Sequence, residues 1–254
     1  MISQRPQRSI IVPAYQEAAR IESTLDQLAG YLKQHNQVQT EVVVVVADSP
    51  DGTATLARAK ASLFASLRVV EPGTKVGKGR DVRVGIYEAV GEHKLFMDAD
   101  LATPLHHLEP AWRALEQGAD VVIAVRNLTS SHTGLRRLVS GLGNALVRLF
   151  LLPGYKDTQC GFKGFTAAAG EQLFSRQTIL GWGFDMEILT IARQLKLKVV
   201  QLPISDWSDK PNGTFEDQVS SAAIETLGEM FTIWWQRLRG RYRQPSFTYK
   251  AGAR

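Results

Sequence analysis

The sequence has a single cysteine, Cys160, among 254 residues. No internal disulfide can staple the fold, and a reducing compartment is the expected home. No run of 18 apolar residues occurs, and no basic stretch followed by an apolar one opens the chain. Neither a spanning helix nor a secretory leader is therefore expected. Acids are missing from position 237 onward, where Arg237, Arg239, Arg241, Arg243, Lys250 and Arg254 stand. Those six outweigh the whole formal net charge of +5, because the rest of the chain sets 24 basic residues against 25 acids. The basic balance describes a tail and is no sign of a nucleic-acid-binding face. Repeats and low-complexity tracts are also absent. With 44% hydrophobic and 22% charged residues, the chain is an ordinary globular one with enough length for a sizeable core.

What is present is an alternation of short β-branched runs with helical patterns. Strands are expected over 9–12, 41–47, 67–70, 94–97 and 120–125, the second containing five consecutive valines. Helices are expected between them, over 17–33, 54–64, 79–90 and 105–117, from apolar residues at three- and four-residue spacing. A valine run of that kind suits a strand covered on both faces. The alternation implies right-handed crossovers and an α/β fold with a mainly parallel sheet. After Arg126 the pattern loosens: an Arg-punctuated apolar helix over 134–152, a strand over 158–165, a helix over 183–195, a strand over 198–204 and a long helix over 216–239. A single domain is expected, with a first half at about 8–126, a second at about 127–215 and a C-terminal helix with basic tail at 216–254.

Chemistry gathers at the strand ends. Phe96-Met97-Asp98-Ala99-Asp100 places two acids directly after a strand, where open α/β sheets bind ligands. Two hard oxygen donors there suit Mg²⁺ or Mn²⁺ together with phosphate oxygens. If the strand runs on, the two acids share a face; if it stops, they share a turn. Val12-Pro13-Ala14-Tyr15-Gln16-Glu17 and Asp48-Ser49-Pro50-Asp51-Gly52-Thr53 close the first two strands, and Lys75-Val76-Gly77-Lys78-Gly79-Arg80 follows the third. Gly77 and Gly79 would let backbone amides approach an anion, with Lys78 adding charge. His106 and His107 read as capping or surface residues, and Cys160 as a small buried hydrophobe.

In this order the pieces resemble family 2 glycosyltransferases of the GT-A (Rossmann-like) fold. The finer likeness is to the dolichyl-phosphate β-glucosyltransferase and polyprenyl-phosphate hexose synthase branch. It is carried by residues 77–83, by Asp157-Thr158-Gln159-Cys160-Gly161-Phe162-Lys163 and by Trp182-Gly183-Phe184-Asp185-Met186-Glu187. The resemblance implies a UDP-sugar donor, a polyprenyl phosphate acceptor and metal-dependent, inverting transfer of a hexose, glucose by family likeness. It implies that Pro13, Tyr15 and Glu17 hold base and ribose, that Asp98 faces the nucleotide, and that Asp98 and Asp100 carry the metal. Arg126, Lys78 and Lys210 would meet phosphate charge. The family's paired acids after the second strand are replaced here by Ala47-Asp48-Ser49-Pro50, so either Asp48 or Asp51 takes the base. Of Asp185 and Glu187, which point about 200° apart on a helix, Asp185 is the expected site acid.

On the acceptor side, residues 134–152 pattern as an amphipathic helix with Arg136, Arg137 and Arg148. Such a helix either lies at a membrane interface or packs on the core. Arg136 and Arg137 are the candidates for gripping an acceptor phosphate. Trp234 and Trp235 before the basic tail also suit an interface or a docked helix. The expected protein is thus a cytoplasmic enzyme held peripherally on a membrane surface. Two other readings remain: the same fold acting on a soluble or polysaccharide acceptor, and a nucleotide-sugar-binding module without turnover.

Overall fold

A computed structural model of the chain describes residues 6–126, 151–208 and 218–249. Within them a seven-stranded sheet has the order β3-β2-β1-β4-β6-β5-β7. The first four strands are β1 (Arg8–Ala14), β2 (Glu41–Val46), β3 (Ser66–Val70) and β4 (His93–Met97), followed by β5 (Val121–Arg126), β6 (Phe162–Thr166) and β7 (Val199–Ile204). All neighbouring pairs are parallel except those of β6, which runs antiparallel to both β4 and β5. Ile10 of β1 lies between Val42 of β2 and Leu95 of β4. The order therefore turns back between β1 and β4, which opens a crevice at their carboxyl ends.

Side-chain alternation builds a core on each face. Ile10, Val12, Val42, Val44, Leu95 and Met97 point to one side, under α1 (Ile21–Gln34) and α4 (Leu108–Glu116). Ile11, Val43, Val45 and Phe96 point to the other, under α3 (Lys78–Glu88), α5 (Ala167–Phe174) and α6 (Phe184–Gln194). Every residue of β2 is buried, as its unbroken valine run requires. Nine consecutive residues of α6 are buried; the long α7 (Gln218–Leu238) packs against it. A helix covered all round has no polar stripe to read in a sequence.

Boundaries move by a few residues. The expected helix at 54–64 is α2 (Thr53–Ala59) plus a 3₁₀ turn, and the one at 105–117 opens with a 3₁₀ turn at Leu105–His107 before α4. The strand expected over 158–165 is confined to Phe162–Thr166, so Cys160 lies just ahead of it, buried. Helix α5 has no counterpart in the sequence pattern. It is short and alanine-rich, and it starts because the Thr166 side chain accepts from the Ala169 amide at 3.2 Å. Residues 127–150, which include Arg136, Arg137 and most of the expected amphipathic helix, and Lys210 lie outside the described residues. No helix among those described is long and apolar enough to cross a membrane.

Candidate active site

Strand β4 stops at Met97, so Asp98 and Asp100 sit in one turn at the crevice. That turn is pinned from three sides. The Asp98 amide donates to the Gly161 carbonyl at 3.0 Å. The Thr24 hydroxyl of α1 donates to the Ala99 carbonyl at 2.5 Å. The Ala102 amide donates to Asp100 Oδ1 at 2.9 Å, while Leu101 takes a left-handed φ of 53°. Asp98, Asp100, Arg126, Gln159, Gly161 and Trp207 line a common open cavity. Gly161 is required there, because a Cβ would land on the Asp98 carboxylate.

Charge in the crevice is finely balanced. Lys78, at the start of α3, reaches Asp98 Oδ1 at 2.5 Å. Burial works against its ammonium, but Asp98, then Asp185 and Asp100, hold it charged above its ordinary range. Burial pushes the Asp100 carboxyl up; the Ala102 amide eases it, and the neighbouring Asp98 raises it again. Glu17 is likewise raised, by burial first and then by Asp100, Asp98 and Asp51, against the pull of Arg20 at 2.8 Å. Acids that lift one another in this way fit a divalent cation, since positive charge is what they lack. Asp98 and Asp100 supply the hard oxygens Mg²⁺ or Mn²⁺ prefers.

The loop after β1 is shaped by the loop after β2. Three successive amides are held by three side chains: Gln16 by Ser49 Oγ at 2.8 Å, Glu17 by Thr53 Oγ1 at 3.0 Å and Ala18 by Asp51 Oδ2 at 3.0 Å. Asp51 Oδ1 also takes the Ser49 hydroxyl, the Thr53 amide and the Thr53 hydroxyl. Both Asp51 oxygens are thus occupied in organising the turn. Asp48 is exposed, its amide bonded to the Gly73 carbonyl. Beside it the Lys75 ammonium lies 3.9 Å from the Tyr15 ring centre, a cation–π contact. Pro13 is half-buried at the end of β1.

Gly77 and Gly79 serve packing. A Cβ on Gly77 would strike the Leu180 carbonyl, and one on Gly79 would lie 2.6 Å from the Phe184 Cβ. Their bareness lets α3 close against residues 180–184, with the Arg80 amide donating to the Leu180 carbonyl at 3.1 Å. Protein fills the space where a Cβ would stand at both positions, which accounts for glycine there.

Asp185 and Glu187 do point apart. Asp185 is 4% exposed and pairs with Lys163 Nζ at 2.6 Å. Burial raises its carboxyl, and the Lys163 and Lys78 ammoniums counter it. Glu187, fully buried, instead accepts from the Thr178 amide and hydroxyl, the Ile179 amide and the Tyr242 hydroxyl. It is a structural acid that fastens the C-terminal segment. Arg126 lines the cavity, but its guanidinium grips the buried Asp157 bidentately, Nε to Oδ2 at 2.6 Å and a terminal nitrogen to Oδ1 at 3.1 Å. Trp207 covers it at 5.1 Å. Lys163, Asp157 and Trp207 are the site residues that sequence reasoning did not single out. Two of them lie in the stretch 157–163, where spacing alone carried no signal. His106 and His107 both approach Asp206, at 3.1 and 2.7 Å. This group has metal-ligating donor types where the sequence suggested capping or surface roles.

A mostly parallel sheet turning back at β1 and β4, with paired acids at the turn, defines the GT-A class of nucleotide-sugar folds. The model of the family described as glycosyl transferase family 2 matches residues 9–177, and the chain belongs to that family of glycosyltransferase enzymes. It is 31% identical to the dolichyl-phosphate beta-glucosyltransferase of Drosophila melanogaster, over 95% of this chain and 78% of that one. It is 32% identical to one from Trichomonas vaginalis over 79% of this chain, but spans only 65% of that relative's length. Among solved structures, glucosyl-3-phosphoglycerate synthase from Mycobacterium tuberculosis, in complex with Mn²⁺, UDP and phosphoglyceric acid, superposes with a TM-score of 0.69. It covers 90% of this chain and 78% of that one at 20% identity, a likeness of fold.

Proposed function

We propose that this chain transfers a hexose, glucose by likeness to its relatives, from a UDP-sugar to a polyprenyl or dolichyl phosphate with inversion at the anomeric carbon. The observation that carries the proposal is the pinned Asp98–Ala99–Asp100 turn at the crevice of β1 and β4, with Lys78 on Asp98. Asp98 and Asp100 would hold Mg²⁺ or Mn²⁺, which when bound supplies positive charge to the departing diphosphate. The names of the relatives specify a β-linked product, and a UDP-glucose donor is α-linked, so attack is in line from the opposite face.

Asp48 takes the base or ribose, since Asp51 has both oxygens engaged. Pro13, Tyr15 and Glu17 form the wall beside it. Lys78 and Arg126 face diphosphate charge, each oriented by a carboxylate partner. A lipid phosphate is mostly anionic at neutral pH and needs no base to deprotonate it. Asp185, buried and paired with Lys163, then acts by helping to keep Lys78 charged and Lys163 in place. Arg136 and Arg137 remain the proposed grip on the acceptor phosphate, from the sequence pattern, and Lys210 a further diphosphate contact, from the family resemblance. The reaction takes place at the cytoplasmic face of a membrane, with the enzyme bound peripherally.

The test is UDP release from UDP-glucose with Mg²⁺ and polyprenyl phosphate. Turnover should require the metal and the lipid phosphate and should fall at least about a hundredfold in Asp100→Asn. Turnover on a soluble alcohol but not on the lipid phosphate would overturn the acceptor. Absence of any turnover despite nucleotide-sugar binding would leave a binding module.

A further inference from the structure

Exposed large apolar side chains are gathered on one surface. Of the eight among the described residues, Phe231, Trp235 and Leu238 belong to α7, and they include two of the three exposed aromatics of the set. Phe231, Trp235 and Leu238 stand at i, i+4 and i+7, within an arc of about 60° at 100° per residue. The helix already has its core face elsewhere: Ile233 is fully buried, and Met230 and Trp234 pack partly buried beside it. The outward stripe is therefore a second apolar face, where a solvated helix would carry polar residues.

The charge around the stripe indicates what would cover it. Arg239 stacks over Trp235 at 4.5 Å. Arg239, Arg241 and Arg243 are exposed, and no acid follows Arg237. A second copy docking face to face would set these arginines against themselves. Anionic lipid headgroups would satisfy the arginines while the rings enter the acyl boundary.

We propose that the outer stripe of α7, with the arginines that follow the helix, is the face by which this protein docks on an anionic lipid surface. Such docking would suit the lipid-phosphate reading above, on which the last arm of the test also bears.

Flotation with phosphatidylcholine vesicles containing about 30% phosphatidylserine, with no acceptor present, tests the face separately from the reaction. The parent protein should float, and less so at high salt. Phe231→Ser/Trp235→Ser/Leu238→Ser should bind at least about tenfold more weakly. Its turnover with a short, water-soluble prenyl phosphate should be unchanged, which shows that it folds. A control at exposed apolar residues elsewhere, Val38→Ser/Leu63→Ser, should float as the parent does. Equal flotation of parent and triple variant overturns the proposal. So does a parent that fails to float and instead forms a dimer that the triple variant loses. If the parent floats through this face yet transfers nothing to lipid phosphate, the docking face stands and the acceptor reading falls.

Discussion

Lys163 and Asp185 form an ion pair at 2.6 Å in which neither residue is more than 4% exposed. The Lys163 ammonium also donates to the Cys160 carbonyl at 2.6 Å, so one buried cation ties β6, the turn before it and α6 together. Removing one partner strands a buried charge. Lys163→Met should cost about 3–5 kcal/mol of stability in urea denaturation. The double variant Lys163→Met/Asp185→Leu should recover much of that loss while remaining poorly active. A stable Lys163→Met single variant would show that the pair is not holding the site.

Asp48 and Asp51 separate by phenotype. Asp48→Asn should raise the KM for the nucleotide sugar at least about tenfold, with little change in melting temperature. Asp51→Asn should chiefly lower stability, because its carboxylate organises residues 16–18.

The pH dependence of the Asp51 effect has a definite sign. Burial nudges the Asp51 carboxyl up, but hydrogen bonds from Thr53, Ala18 and Ser49 overcome it and hold it well below the usual carboxylate range. Its stabilisation is therefore present above the ordinary unfolded pKa of about 4 and lost as pH falls through the depressed folded value. The difference in melting temperature between parent and Asp51→Asn should be full near neutral pH and shrink under acid.

Gly161→Ala should displace the Asp98 carboxylate, which the new methyl would overlap. Metal-dependent binding of UDP, followed by calorimetry, should weaken at least about tenfold. Binding at parental strength would show that Asp98 has room to move and that the contact is slack.

Arg126→Lys keeps the charge and discards the fork that grips Asp157. Activity should fall at least about tenfold, and the variant should be less stable because Asp157 is buried. Arg126→Lys with parental kinetics would remove Arg126 from the site.

Cys160 is 1% exposed, and burial, then the nearby Asp157, pushes its thiol up to about 11. Alkylating reagents near neutral pH should leave it untouched until the protein unfolds. Rapid labelling of the native enzyme would contradict its packing.

Local pattern announced most of the framework. The valine run of β2, the spacing of Ile21, Leu25, Leu28 and Leu32 and the acids after β4 each carry their meaning within a few residues. Helix α5 was hidden because its start depends on one Thr166 cap, and the strand expected over 158–165 began late because glycines interrupt its apolar pattern. The packing role of Gly77 and Gly79 was hidden as well, because a short motif does not reveal what packs against it.

By itself the sequence determined the alternation of strands and helices, the two aspartates at the end of a strand and a basic tail free of acids. These are properties of neighbours along the chain, set by side-chain period and composition. Only the tertiary structure decided the partners: Lys163 for Asp185, Asp157 for Arg126, Glu187 for Tyr242, and Asp51 for the loop of β1. Ion pairs and hydrogen bonds act over about 3 Å in space, whatever the separation in sequence, so no spacing rule along the chain could have assigned them.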